Sequence, residues 1–346
     1  MRAVTIQGGG LAGLSLARAL AQRGVPVTVL EKGRYPRHKV CGEFITGLDE
    51  ATRRTLALDP IFEGSLEHHT TVWYRGERVV LRRDLPTPAI GLSRWTLDAR
   101  LAEACRAAGA KVHENVPPGD LSPTAEGWVR ASGVRQGRGQ GGAPSPWVGL
   151  KAHLEPTGMA ADLELHLGRG AYVGLSPVEG GRRNLCLLVH RAACPSRALR
   201  RIEDTLRAVG LAALAERAEA AGIVEASRSA VAGFRFGERP ARSAGVLELG
   251  DAGGMIPPFT GHGMAMAFQS AALAVEPLVA WSAGHRDWPA TAAAITREEA
   301  SWHTRRTRVA RLLHPWLLRP RWQALLCPIA ASPVFPFRTL YALTHS

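Results

Sequence analysis

Two glycine-rich stretches carry the residue types and spacings suited to binding a ligand and acting on it. The first is Gly8-Gly9-Gly10-Leu11-Ala12-Gly13, directly after Ala3-Val4-Thr5-Ile6-Gln7. Gly8, Gly10 and Gly13 fit the pattern G-x-G-x-x-G. There the first glycine makes a tight turn, the second lets a pyrophosphate approach the backbone, and the third lets a helix pack closely on a sheet. The helix N-terminus at Leu11 and Ala12 then offers free N–H groups and a positive dipole end to phosphates. Glu31 closes the next apolar run, Val25–Leu30, where an acid accepts hydrogen bonds from ribose hydroxyls. Such an acid suits the adenosine ribose of NAD or of FAD and disfavours a 2′-phosphate. The stretch therefore points to a dinucleotide without choosing between the two.

The second stretch runs from Gly250-Asp251 to Gly261-His262-Gly263-Met264. A strand ending in Gly-Asp puts a carboxylate where ligands of open α/β sheets bind, and a polyol such as ribitol needs that acceptor. Glycines around His262 permit close approach of a flat ligand. The small-residue helix expected over Met264–Trp281 points its positive end at the same place. His262 reads either as an acid/base beside a ring or as a structural turn histidine. Between the two stretches, Lys32 and a basic loop holding Arg37 either follow an extended dinucleotide or are solvated. Cys41 in that loop faces a ligand or acts as a small buried hydrophobe. Glu43 is a proton relay or a loop hydrogen-bonder. His68-His69 lacks a third ligand at metal spacing and reads as surface, so no metal is expected. Phe234 and Phe236, at period two, line a pocket or pack a core.

The elements that position these residues follow from periodicity. Gly13, Leu16, Ala17 and Leu20 give the first helix one small apolar face, and Gly24 ends it. His69–Arg82 reads as a hairpin around Gly76-Glu77, an excursion into a second lobe. A helix bearing Leu97, Leu101, Ala104, Cys105 and Ala108 returns to the nucleotide lobe. Residues 137–142 form a glycine-rich loop. Strand-like runs follow at Leu163–Leu167, Ala171–Leu175 and Asn184–Val189, with Gly168-Arg169-Gly170 as a turn. Ser196–Ala221 reads as helix and Ile223–Phe236 as strand. The expected class is α/β with an α+β second lobe: a Rossmann-type dinucleotide-binding domain (FAD-binding by the resemblance given below), an interleaved antiparallel-sheet substrate domain and C-terminal helices. The boundaries are 1–65, 92–145 and 237–284 for the first, 66–91 and 146–236 for the second, and 285–346 for the helical segment.

Composition narrows the function classes. The 346 residues carry a net charge of +13. No nucleic-acid motif accompanies that charge, so nucleic acid is not an expected partner. Five cysteines without a C-x-x-C read as free thiols of a cytoplasmic protein. Adjacent glycines and Arg18 argue against a signal peptide near the N-terminus. No run of about 18 uninterrupted apolar residues occurs, so no transmembrane helix is expected. Thr291–Ser346 mixes Trp302, Trp316 and Trp322 with many arginines, and its prolines are expected to chop it into short helices. It reads as a helical cover or as a peripheral lipid contact. Oligomeric state is not legible.

Gly8–Gly13 with Glu31, the Arg94 segment, and Gly250-Asp251 leading through Pro257 to Gly261–Gly263 occur in that order. The ordered set resembles the para-hydroxybenzoate hydroxylase-like flavoproteins, which include aromatic hydroxylases, flavin-dependent halogenases and geranylgeranyl reductases. Pro36-Arg37-His38-Lys39-Val40-Cys41-Gly42-Glu43 is similar to the basic Cys-Gly loop of the geranylgeranyl reductase-related branch. The resemblance spans roughly Met1 to Ala280. It implies FAD, with the ADP half on Gly8, Gly10, Gly13 and Glu31, a contact from Arg94, the ribityl chain on Asp251 and the ring near Gly261–Met264. It further implies NAD(P)H as a transient electron donor and a small hydrophobic substrate. The reaction it implies is hydroxylation of an aromatic or polyketide-like molecule through a flavin C4a-hydroperoxide. The alternative is reduction of carbon–carbon double bonds in an isoprenoid-like molecule. A lesser one is a non-catalytic flavin-binding protein, motivated by Ser132 standing where many hydroxylases carry the aspartate of an Asp-Gly motif. The halogenase pattern W-x-W-x-I-P is absent.

Overall fold

The computed structural model describes residues 1–117, 126–133, 145–236, 246–332 and 334–345. Its strands are β1 Val4–Gln7, β2 Val27–Leu30, β3 Phe44–Ile45, β4 Leu66–Arg75, β5 Arg78–Gly91, β6 Lys111–His113, β7 Trp128–Arg130, β8 Trp147–Leu154, β9 Leu163–Gly168, β10 Ala171–Pro177, β11 Arg183–His190, β12 Ile223–Ala232 and β13 Leu247–Glu248. Its α-helices are α1 Leu11–Ala21, α2 Glu50–Thr55, α3 Arg94–Ala107, α4 Ile202–Ala208, α5 Ala212–Ala221, α6 Gly263–Ser282, α7 Trp288–Leu318, α8 Pro320–Ala331 and α9 Phe337–His345.

The first sheet is all-parallel, in the order β13-β7-β1-β2-β6. Val4, Ile6, Val27, Val29, Val129 and Leu247 stand in register on one face of it and are buried, whereas Thr5, Gln7 and Thr28 on the other face are partly buried. β2 lies on one side of β1 and β7 on the other. The crevice beyond their C-terminal ends is therefore a topological switch point, the usual ligand position in such sheets. Helix α1 starts there and packs on α3 and α6. Ala265, Phe268, Ala271, Val275 and Leu278 of α6 are wholly buried. That helix is apolar and long enough to span a bilayer by composition, but here those residues serve the protein's own core.

The second sheet runs β12-β8-β11-β10-β9-β4-β5-β3. It is mixed, not antiparallel as expected, because β4 pairs with β9 in parallel. The two hairpins that meet at this seam come from separate excursions of the chain, so no tight turn dictates their relative direction. Phe44–Ile45, expected with the nucleotide lobe, pairs with β5 instead. Alternation along β10 sorts its faces: Ala171, Val173 and Leu175 join a core with α4 and α5, whereas Tyr172, Gly174 and Ser176 face a cavity.

The helix expected over Ser196–Ala221 is split into α4 and α5, with Gly210 at φ +86° between them. The tail is less fragmented than its prolines imply. Pro315 lies in the last turn of the 31-residue α7, so the one hydrogen bond it removes falls where the helix is about to end. Pro320 opens α8 at its first position, which proline tolerates. The loop expected at 137–142 lies outside the described residues.

Candidate functional site

The glycine turn is shaped as its spacing implies. Gly8 sits at φ +112°, and a Cβ there would come within 2.4 Å of the Ala131 carbonyl oxygen. A Cβ on Gly13 would lie 2.0 Å from the Gly8 carbonyl oxygen, which is why only glycine lets α1 approach this closely. Gly10 differs: nothing lies within 4 Å of its would-be Cβ. Gly10 is the N-cap of α1, which has no side-chain cap, leaving the first-turn N–H groups for a ligand. Glu31 stands beside this cradle. Its carboxylate accepts from Gly9 N–H at 2.7 Å, Gly33 N–H at 2.8 Å and Arg37 Nη2 at 2.7 Å. Burial alone would raise its pKa, but Arg37, Lys39 and the two N–H groups hold it below the usual range. Tyr35, not singled out in the sequence, donates to Gly9 O at 2.6 Å and braces the turn from outside.

From the cradle one continuous cavity of about 980 Å³ runs between the lobes to the C-terminal helices. Fourteen of the residues expected at the site line it: Gly8, Gly10, Leu11, Ala12, Glu31, Lys32, Arg37, Cys41, Arg94, Gly250, Asp251, Gly261, Gly263 and Met264. Asp251 exposes its carboxylate to the cavity, yet protein surrounds it, and that desolvation raises its pKa to about 6 despite Arg94. Ser270 fixes the turn that carries it: its hydroxyl accepts from Gly250 N–H at 2.9 Å and donates to Glu299 at 2.6 Å. The Arg94 guanidinium is held bidentately by Asp98 at 2.7 and 2.9 Å, and Lys39 shares the same carboxylate at 2.6 Å. The i,i+4 spacing of Arg94 and Asp98 on a helix was the available signal. Burial also keeps the Cys41 thiol protonated, raising its pKa against the pull of Arg94. Phe234 serves both of its expected roles, lining the cavity and packing against Phe236 with ring centroids 5.9 Å apart.

Two of the three expected catalytic residues lie elsewhere. His262 is wholly buried and absent from the cavity wall. Its Nδ1–H donates to Thr46 O at 2.8 Å, its ring packs edge-on to His345, and burial lowers its pKa to about 3. It is a neutral turn histidine, because the flanking glycines that open the cavity also tuck this ring behind it. Glu43 is likewise fully buried, off the cavity. It accepts from Arg94 N–H at 2.8 Å and from Lys151 Nζ at 2.9 Å, and pairs with His153 Nε2 at 2.6 Å. Burial would raise its pKa, but His153 and Lys151 hold it below the usual value. Lys151 also donates to His38 Nδ1 at 3.3 Å. An ammonium has no lone pair, so that ring nitrogen accepts and the proton of neutral His38 sits on Nε2. His38 lines the cavity. Lys151 and His153, two apart in an otherwise apolar strand, were a legible sign of this network. His68, read as surface, is buried too, with Nε2 3.1 Å from Pro177 O and its ring stacked on Phe44.

His262 and His314, with pKa values lowered to about 3 and about 4 by burial, make a pH prediction. Both stay neutral in the folded chain while their unfolded forms bind protons near pH 6.5. Their contribution to stability is whole above that pH and is lost as pH falls through it. By pH 5 each costs about 2 kcal/mol. Urea unfolding at pH 7 and pH 5 is expected to show this loss, and His314→Gln to reduce it. An equal loss in the variant would contradict the assignment.

Comparison with known proteins places this geometry. The NAD(P)-binding Rossmann-like domain matches residues 6–38. No curated protein matches the chain in sequence. Among solved structures, a geranylgeranyl bacteriochlorophyll reductase-like protein from Thermoplasma acidophilum matches with a TM-score of 0.76 at 16% identity, covering 99% of this chain and 95% of its own. Flavin-dependent brominase Bmp2 matches with a TM-score of 0.73 at 17% identity, covering 99% and 93%. PqsL, a probable FAD-dependent monooxygenase from Pseudomonas aeruginosa, matches with a TM-score of 0.68 at 17% identity, covering 94% and 98%. The parallel sheet with its glycine cradle, the mixed eight-stranded sheet and the C-terminal helices thus make up, over essentially the whole chain, the fold shared by flavin-dependent monooxygenases, halogenases and geranylgeranyl reductase-like proteins.

Proposed function

We propose that the chain is an FAD-dependent oxidoreductase, and specifically a monooxygenase that hydroxylates a hydrophobic aromatic or polyketide-like substrate with electrons from NAD(P)H. The observation that carries this reading is the single cavity joining an open pyrophosphate cradle at Gly10 to an apolar chamber walled by Tyr172, Phe234, Phe259 and Leu317. The residues present fit FAD. Leu11 and Ala12 offer N–H groups to the pyrophosphate, Glu31 accepts from the adenosine ribose, Asp251 accepts from the ribityl hydroxyls, and the Gly261–Met264 turn leaves room for a flat ring. When bound, FAD would supply the redox chemistry. The chain's own contribution is to orient the substrate against the ring and keep water out of the apolar chamber. The described residues hold one Rossmann sheet, so the nicotinamide is read as a visitor to the same cavity.

One feature favours the second reading, reduction of a carbon–carbon double bond. The Cys41 thiol lies on the cavity wall and burial keeps it protonated, as a proton donor to carbon requires. Oxygen dependence separates the two. Turnover of an aromatic substrate with NAD(P)H is expected to stop under anaerobic conditions. Product formation that continues without oxygen, and drops in Cys41→Ala, would replace hydroxylation by reduction.

A further inference from the structure

The C-terminal helices turn apolar side chains outward. In α8, Gln323, Cys327 and Ala330 are buried, as one face of an amphipathic helix should be. Trp322, Leu325 and Ile329, at i, i+3 and i+7, share another face, yet they are 38%, 52% and 49% exposed. Leu312 on α7 and Val334 after α8 are 73% and 87% exposed. Five of the eight exposed large hydrophobic residues among those described thus fall between residues 312 and 334. This clustering marks an interaction face.

Two further observations identify the occupant. From Ala300 to Ser346 the chain has seven arginines and no acid. Arg308, Arg311, Arg319, Arg321 and Arg338 are exposed, so the apolar face lies within a purely cationic segment. A second copy docking by two-fold symmetry would set these arginines against one another. The face is also continuous with the cavity: Ile329 is both exposed and part of the cavity wall, with Trp316, Leu326 and Leu340 behind it.

We propose that this face docks on an anionic lipid bilayer, with Trp322, Leu325 and Ile329 in the acyl boundary and the arginines at the headgroups. The cavity then opens toward the membrane, and its substrate is a lipid-dissolved apolar molecule. The substrate clause rests on the flavoenzyme reading above, whereas the docking itself does not. The test is co-sedimentation of the FAD-loaded protein with vesicles of phosphatidylcholine alone or mixed with phosphatidylglycerol. Binding is expected to be at least about tenfold tighter to the mixed vesicles and to weaken with added salt. Leu325→Glu with Ile329→Glu is expected to abolish binding, and Arg319→Glu with Arg321→Glu to remove its dependence on phosphatidylglycerol. All four residues are exposed, so these variants should keep the wild-type melting temperature. Wild-type protein that stays in the supernatant, or a glutamate variant that binds equally, overturns the proposal. A concentration-dependent dimer that dissolves in Leu325→Glu with Ile329→Glu would assign the face to a second copy and overturn it as well. Flavin absorbance of the same samples reports cofactor binding separately, so failure to dock is distinguishable from failure of the flavin reading.

Discussion

Glu43→Ala is expected to destabilise the protein by about 3–5 kcal/mol, because it strands a buried ammonium. Lys151 and Glu43 side chains are both wholly inaccessible to water. Deleting the carboxylate leaves Lys151 with His38 Nδ1 as its remaining named partner, and frees His153 and Arg94 N–H from theirs. The comparison that isolates the charge is Glu43→Gln alone against Glu43→Gln with Lys151→Met. The double variant is expected to recover much of the loss, since a buried ion pair stabilises little relative to an apolar pair of similar volume. Urea unfolding checks both. A single-variant cost under about 1 kcal/mol would contradict the network. The pH dependence has a fixed sign: the carboxyl sits below its ordinary value of 4.5, so its stabilisation is present above that pH and is lost as pH falls through the folded value.

Gly10→Val is expected to lower FAD affinity by about 100-fold or more while leaving the melting temperature nearly unchanged. Gly10 has extended backbone angles, φ −94° and ψ −167°, which a β-branched residue adopts readily. Its side chain would enter open space and occupy the position offered to the pyrophosphate. Gly13→Val makes the contrast. Its Cβ would lie 2.0 Å from the Gly8 carbonyl oxygen, so it should cost folding stability itself. Flavin fluorescence titration and thermal melts of the two variants measure the difference. Wild-type affinity in Gly10→Val would place the phosphates elsewhere.

The residues legible in the sequence were those whose role is local. G-x-G-x-x-G, the spacing to Glu31 and the strand-ending Gly250-Asp251 each encode their geometry within a few residues, and the cavity collects them. His262 and Glu43 were misplaced because their surroundings come from far along the chain. His262 meets Thr46 and His345, and Glu43 meets Lys151 and His153. A glycine-flanked histidine looks the same in sequence whether its ring faces the ligand or the core. The parallel seam between β4 and β9 was hidden for a related reason, since each strand's own hairpin says nothing about a partner from another excursion. The prolines of the tail misled because their effect depends on position: Pro320 at a first position loses no helical hydrogen bond, and Pro315 loses one only where α7 is ending.

One FAD is expected to fill the cavity from Gly10 to the Gly261–Met264 turn. This is tested most directly by titrating the purified chain with FAD and with NAD while following flavin absorbance and fluorescence, alongside Gly10→Val and Asp251→Asn. One FAD is expected to be held per chain, with NAD not retained in its place, and FAD to bind more weakly in both variants, which touch its pyrophosphate and its ribityl chain respectively. A chain that holds NAD as firmly as FAD, or FAD binding unaffected by Asp251→Asn, would contradict this.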